Sequence, residues 1–290
     1  LAPYYATINS ARALLAEHGA PVQPGQAPPA QPVVAPRSDN GARRDLVIGL
    51  AKEIDAKNLA VFAASLRQTT TNCDLVLFVD RPSIDRTLNT IVERFQVDLI
   101  PYDPATLQPP QLRKFHASTL RWPLISRELD RRRSRNYRGV LFADVRDTAF
   151  QSDPFGAMLT SQQIFYGFNG VESRTIGECG WNGGWIRDCF GEAKRRKLSA
   201  KPIVCSGVSI ATFEEGRLYA AQMAEVVSDA QFAPCERNGV DQGVHNVLMH
   251  EGEVKHAQII SQRTALVANL QAKVASVDPR SHQVRNPQGA

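Results

Sequence analysis

From residue 46 onward, apolar and polar positions alternate between two rhythms. Short continuous apolar runs occur at LVIGLA (46–51), DLVLFVD (74–80), VDLIPYD (97–103) and GVLFAD (139–144). Runs of this length without a polar face are the pattern of strands buried on both sides. Between the first two, residues 58–68 set Leu59, Phe62, Ala63 and Leu66 on one helical face. Further helices are expected around 84–95 and over 111–133, the latter with Pro123 as a point of bending. Strand and helix in strict alternation predict a parallel sheet covered on both faces and joined by right-handed crossovers. That is the α/β, Rossmann-like nucleotide-binding class.

Beyond residue 155 the rhythm loosens and glycine becomes frequent. Strands are expected at 164–168, 203–210 and 256–260, and helices at 183–197, 214–226 and 241–250. Ahead of the first strand, residues 1–19 carry Ile8, Ala11, Leu14 and Leu15 at helical spacing. Residues 20–39 are rich in Pro, Ala and Gln and cannot bury enough apolar surface to offset their ordering entropy. The expected division is therefore an N-terminal helix with a linker or stem over 1–42, and a catalytic domain over 43–290. Such a linker suits the stem of a lumenal, membrane-anchored enzyme as well as a disordered tail. No stretch approaches the roughly 20 apolar residues that span a bilayer, so membrane attachment would need a segment ahead of Leu1.

Composition changes this picture little. With 43% hydrophobic and 22% charged residues over 290 positions, the chain has material for a sizeable core. Its net charge of +5 gathers partly in Arg131-Arg132-Arg133 with Arg135 and in Lys194-Arg195-Arg196-Lys197. These runs are solvated helix ends or attract polyanions such as a diphosphate. No nucleic-acid-binding motif accompanies them, which argues against a nucleic-acid partner. Five cysteines without a C-x-x-C pair exclude a zinc-ribbon framework. An odd count also argues against a dense disulfide scaffold, with Cys179 and Cys189 one pair that an oxidising lumen would allow.

The chemistry concentrates where the fourth apolar run ends in D-V-R-D. Asp144 and Asp147 stand at the carboxyl edge of an expected strand, where open α/β sheets bind ligands. Divalent ions such as Mn²⁺ or Mg²⁺ take one or two such carboxylates together with phosphate oxygens. The bland alternative is a capping Asp144 and an Asp147 paired with a nearby Arg. In PIVCSGVSIAT (202–212), Ser206-Gly207 interrupts a strand, as happens at a bulge or where a ligand approaches the backbone. DQGVHN (241–246) opens a helical stretch with Asp241, either its cap or an exposed base. In GECGWNGGWIRDCFG (177–191), Trp181 and Trp185 offer aromatic faces to an acceptor sugar or aglycone, or else plug the core.

Strand–DVRD, then CSGV, then DQGVHN, in that order, resembles the GT-A-fold glycosyltransferases, with their DxD-like acidic motif, N-[SA]-G strand and D-Q-x-x-x-N helix. NLAVFAASLRQTTTNCDLVLFVD is similar to their first helix and second strand, and LRWPLISRELD to the helix that contacts the donor. The match covers roughly residues 44–260. The resemblance implies a mixed, mostly parallel sheet with helices on both faces. It also implies transfer from a nucleotide-sugar, a UDP-sugar above all, to a glycan, protein or small-molecule acceptor. On its terms Asp144 and Asp147 hold Mn²⁺ or Mg²⁺, Ser206 and Gly207 lie under the donor sugar, and Asp241 with Gln242 faces the reaction centre, Asp241 as the catalytic carboxylate. Ala51 and Lys52 border the base and ribose, Arg121 reaches the phosphates, and Trp181 and Trp185 stand on the acceptor side. The chain departs from the pattern in its D-x-x-D spacing, in Cys205 where Asn is usual, and in lacking a terminal H-x-x-G-x-x-K-P-W; His250 or His256 would have to supply the third metal ligand.

A haloacid-dehalogenase-type phosphohydrolase needs its two acids two residues apart, not three. A sugar nucleotidyltransferase wants a Gly-rich loop after the first strand, where GLAKEID stands (49–55). A catalytically inactive sugar-binding or scaffold module of the same fold is the non-enzymatic alternative.

Overall fold

The computed structural model describes residues 43–80, 86–156, 163–235, 239–264 and 266–269, with the backbone of 276–277 and 284–285. The helix expected over 1–19 and the linker after it lie outside the described residues.

Seven strands form one mixed sheet in the order β3-β2-β1-β4-β6-β5-β7. They are β1 (Asp45–Leu50), β2 (Cys73–Val79), β3 (Val97–Pro101), β4 (Gly139–Ala143), β5 (Phe165–Thr175), β6 (Pro202–Thr212) and β7 (Ala257–Ile260). Strands β1 to β4 pair in parallel, as their continuous apolar runs require. β6 runs antiparallel to both β4 and β5, and β7 pairs in parallel with β5.

Alternate residues of the parallel strands feed two cores. Leu46, Ile48, Val76, Phe78, Val140 and Phe142 point to one side, among Trp122, Tyr219 and their neighbours. Val47, Leu75, Leu77, Leu141 and Ala143 point to the other, against helices α1 (Ala56–Thr69) and α2 (Arg86–Arg94). α1 starts where Asp55 accepts the Asn58 amide at 2.7 Å, and its buried face carries Leu59, Phe62, Ala63 and Leu66. Helices on both faces therefore follow from the alternation of side chains along strands.

Two expected helices come out differently. The stretch 111–133 first makes a 3₁₀ turn, Pro110–Lys114, and α3 runs from Ala117 to Arg131. His116 caps it, and Pro123 sits inside it. The expected helix over 183–197 is two: α4 (Gly180–Phe190) and α5 (Glu192–Leu198), broken at Gly191 with φ +86°. Helices α6 (Phe213–Ser228) and α7 (Val240–Glu251) complete the frame.

The expected Cys179–Cys189 pairing is not formed. Those residues stand at opposite ends of α4, about 15 Å apart along a helix, beyond the reach of a disulfide. Cys189 is bonded to Cys235 instead, with Cα atoms 5.5 Å apart. The basic runs are largely neutralised in place. Arg131 and Arg132 pair with Glu128, Lys194 and Lys197 with Glu251, and Arg195 with Glu192. Among the described residues no helix is long and apolar enough to cross a membrane.

Candidate functional site

A cleft of about 610 Å³ opens at the carboxyl ends of β1 and β4. In the strand order, β1 and β4 are the neighbours at which the parallel succession reverses direction, the place where α/β sheets leave a crevice. Six separate segments meet there: 50–54 at the end of β1, the start of α3, D-V-R-D after β4, Trp185 of α4, Ser206 of β6 and the first turn of α7.

The loop after β1 is pinned from both sides. The Glu53 amide donates to the Asp80 carboxylate at 2.9 Å, and Arg146 donates to the Lys52 carbonyl at 3.2 Å. Ala51 and Lys52 thereby line the cleft, as do Arg121, Asp144, Asp147, Ser206, Asp241, Gln242 and Trp185.

Arg121 is the hub. It is 5% exposed, and it bonds the Asp144 carboxylate, the Ser206 carbonyl at 3.0 Å and Asp241 Oδ2 at 3.2 Å. Burial opposes its charge, but Asp144 and Asp241 outweigh that opposition and hold the guanidinium above its ordinary pKa. Asp144 is thus neither a cap nor idle. Its amide donates to the Gly207 carbonyl at 2.8 Å, and its carboxylate occupies the space where any Cβ at position 207 would stand, 2.8 Å from Oδ2. Gly207 lies behind Asp144, and glycine is what lets the acid sit there. Asp147 makes no ion pair among the described residues. Partial desolvation and the nearby charge of Asp144 lift its carboxyl above the usual range.

Asp241 is not the helix cap, since Gly239 holds that place. It lies in the first turn of α7, 2% exposed, with Oδ2 taken by Arg121 and 3.3 Å from the Ser206 hydroxyl oxygen. Gln242 is committed to the protein. Its Oε1 accepts from the Ser206 amide and hydroxyl at 2.9 and 3.0 Å, and its Nε2 donates to Val204 and Asn182. Four residues on, Asn246 accepts from the Val204 amide at 2.9 Å and donates to its carbonyl at 3.0 Å. β4 stops at Ala143 while β6 continues, and these two amides, on one face of α7, take up the backbone of its extension. D-Q-x-x-x-N is therefore partly a latch that shapes the strand carrying Ser206 and Gly207.

Trp185 lines the cleft and packs against Gly239, where a Cβ would come within 2.4 Å of its ring. Trp181 is 65% exposed, its ring centre 6.0 Å from that of Trp185. Neither plugs the core outright. Neither histidine proposed as a third metal ligand reaches the cleft: His250 bonds the Pro202 carbonyl at the far end of α7, and His256 faces Glu215. Residues passed over in the sequence also line the site, namely His116, Ser118, Arg146 and Gly239. A His-Ala-Ser-Thr start immediately before an amphipathic helix was the available signal for the first two.

Among the described residues, no group of three or more His, Cys, Asp or Glu could hold a metal ion. A divalent cation at Asp144 and Asp147 would draw its other ligands from water and a bound diphosphate, a coordination that Mg²⁺-like ions accept. The unpaired Asp147 and the second oxygen of Asp144 fit that role.

No family model and no curated protein matches this chain. Among solved structures it is similar to core-mannan synthase A from Aspergillus fumigatus in its Mn/GDP form, at 13% sequence identity and a TM-score of 0.45, over 83% of this chain and 80% of that one.

Proposed function

We propose that this cleft is the active site of a divalent-cation-dependent glycosyltransferase of GT-A type, taking a nucleotide-sugar (a UDP-sugar above all) and passing its sugar to a glycan, protein or small-molecule acceptor. One observation carries the reading. The acids of D-V-R-D, Arg121, Ser206, the D-Q start of α7 and the loop after β1 line a single cleft at the switch point of the sheet, though up to about two hundred residues separate them.

Each side chain has a task in that reading. Ala51 and Lys52 border the base and ribose. Asp144 and Asp147 hold Mn²⁺ or Mg²⁺, which when bound neutralises the diphosphate as it leaves. Arg121 fixes Asp144 and Asp241 at their stations, so no reorganisation is needed when charge develops. The Asp241 oxygen not engaged by Arg121 faces the reaction centre, and Gln242 keeps Ser206 in place beside it. Trp185 forms the acceptor wall, and Trp181 extends it outward with an aromatic face suited to a sugar ring.

The test is nucleotide release from UDP-, GDP- and CMP-sugars with Mn²⁺ or EDTA, in wild type and Asp144→Ala. Cation-dependent release from one donor, reduced about 100-fold or more by the substitution, is expected. Binding of a nucleotide without any turnover would favour the inactive sugar-binding module. Neither binding nor release with any donor would sink both.

A further inference from the structure

We infer that His116 is a phosphate-directed hydrogen-bond donor, a ring locked by the first turn of α3 so that Nε2–H is offered to the diphosphate of the bound nucleotide-sugar; this rests on the proposed function of the cleft.

His116 occupies a position where Ser, Thr, Asp or Asn is the ordinary choice. It caps α3 with its side chain: Nδ1 accepts from the Ser118 amide at 3.3 Å and lies 3.1 Å from the Ser118 hydroxyl. A ring nitrogen that receives an amide N–H has its lone pair there, so the proton of the neutral ring sits on Nε2. Nε2 has no protein partner among the described residues, and His116 is exposed and lines the cleft. A serine would cap the helix at least as well. What the imidazole adds is a second nitrogen, held in a fixed tautomer and available to a ligand.

The surroundings say which ligand. α3 is a 15-residue helix with no acid in its first turn, so no local carboxylate offsets the positive end of its dipole. Ala117, Ser118 and Arg121 line the same cleft as His116. Arg121, one turn along, is 5% exposed and has an Nε without a hydrogen-bond partner. A diphosphate held in this cleft by a cation at Asp144 and Asp147 would meet at this wall the Nε2–H of His116 beside the positive end of the α3 dipole.

Capping and ligand binding separate by substitution. His116→Ser keeps the cap and removes Nε2–H, His116→Asn does the same with another good cap, and His116→Ala removes both. The probe is inorganic pyrophosphate with Mn²⁺, followed by calorimetry, with thermal midpoints measured alongside. The expected result is pyrophosphate binding weakened about tenfold in all three variants, with the midpoint lowered in His116→Ala alone. Wild-type affinity in folded His116→Ser or His116→Asn would overturn the inference, leaving His116 a cap and the proposed function intact. A wild-type protein that binds neither pyrophosphate nor uridine, guanosine or cytidine phosphates would remove the glycosyltransferase reading and this inference with it.

Discussion

The two halves of the sheet are held by different means. β1 to β4 are in regular parallel register, and every residue of β2 and β4 is buried. Side chains from α1, α2 and α3 cover them mostly with hydrocarbon, with Arg67 of α1 bonding the Cys73 carbonyl at the strand end. β5 and β6, by contrast, slip register three times between Gly167 and Thr175. There Gln262 donates to the carbonyls of Asn169 and Gly170, Gln242 and Asn246 hold β6, and the Cys189–Cys235 bond ties α4 to the segment before α7. Burial is non-directional and tolerates any well-packed filling. Hydrogen bonds and a disulfide fix geometry, and they sit on the side that carries Ser206, Asp241 and Trp185.

The largest effect expected from this contrast is in the first half. Phe62 is fully buried and meets Phe150 edge-on at 5.2 Å, so Phe62→Ala costs about 3–5 kcal/mol. Urea denaturation should show one cooperative transition shifted as a whole, and a loss confined to α1 would break the comparison. Opening the disulfide, which spans 46 residues, costs about 2–4 kcal/mol. In Cys235→Ser, hydrogen exchange should quicken in α4 while the amides of β1 to β4 stay protected. Asn246→Ala leaves the Val204 amide without its side-chain partner in a buried place, while the carbonyl keeps Gln242, at a cost of about 2 kcal/mol. Its signature is faster exchange at the Val204 amide, and unchanged exchange there would mean the latch is dispensable.

The effect that is smallest at neutral pH, and grows only in acid, is one of titration. Burial, and then the charges of Arg121 and His250, push His245 down to about 3 from its ordinary 6.5. A group that is harder to protonate when folded makes the protein lose stability as pH falls below the unfolded pKa. That loss runs from pH 6.5 toward 3 at up to about 1.4 kcal/mol per pH unit. His245→Phe removes this component, so its stability should fall less steeply than that of wild type in acid. Parallel curves would show that His245 does not titrate as described.

The same contrast explains what could be read in advance. Strands such as GVLFA and CDLVLFV carry no polar position, so their character, order and parallel pairing are written in hydrophobicity alone. The mixed sheet was legible only through the resemblance that the acidic motif, the Ser-Gly strand and the D-Q helix carry, since the apolar runs alone predict a parallel sheet. Partners set by three-dimensional proximity were not legible. HAST before an amphipathic helix signals a helix start, but nothing local places it at the cleft, and nothing in five scattered cysteines selects 189 with 235 over 179 with 189. The continuation of helical spacing past Gly191 concealed a break that one backbone angle imposes. Gln242 and Asn246 were visible as a pair, yet the extension of β6 that they hold could not be seen from either stretch alone.

Arg121 has one more consequence. A guanidinium sealed beneath the cleft and shared by two acids turns Asp144 into the counter-ion of the fold as well as a candidate ligand. The cleft therefore carries its own ballast: with nothing bound, the acid at its floor stays oriented, because a positive charge from within already holds it. Removing Asp144 unballasts the interior, whereas removing Asp147, which is exposed and pairs with no cation among the described residues, leaves that internal pairing intact.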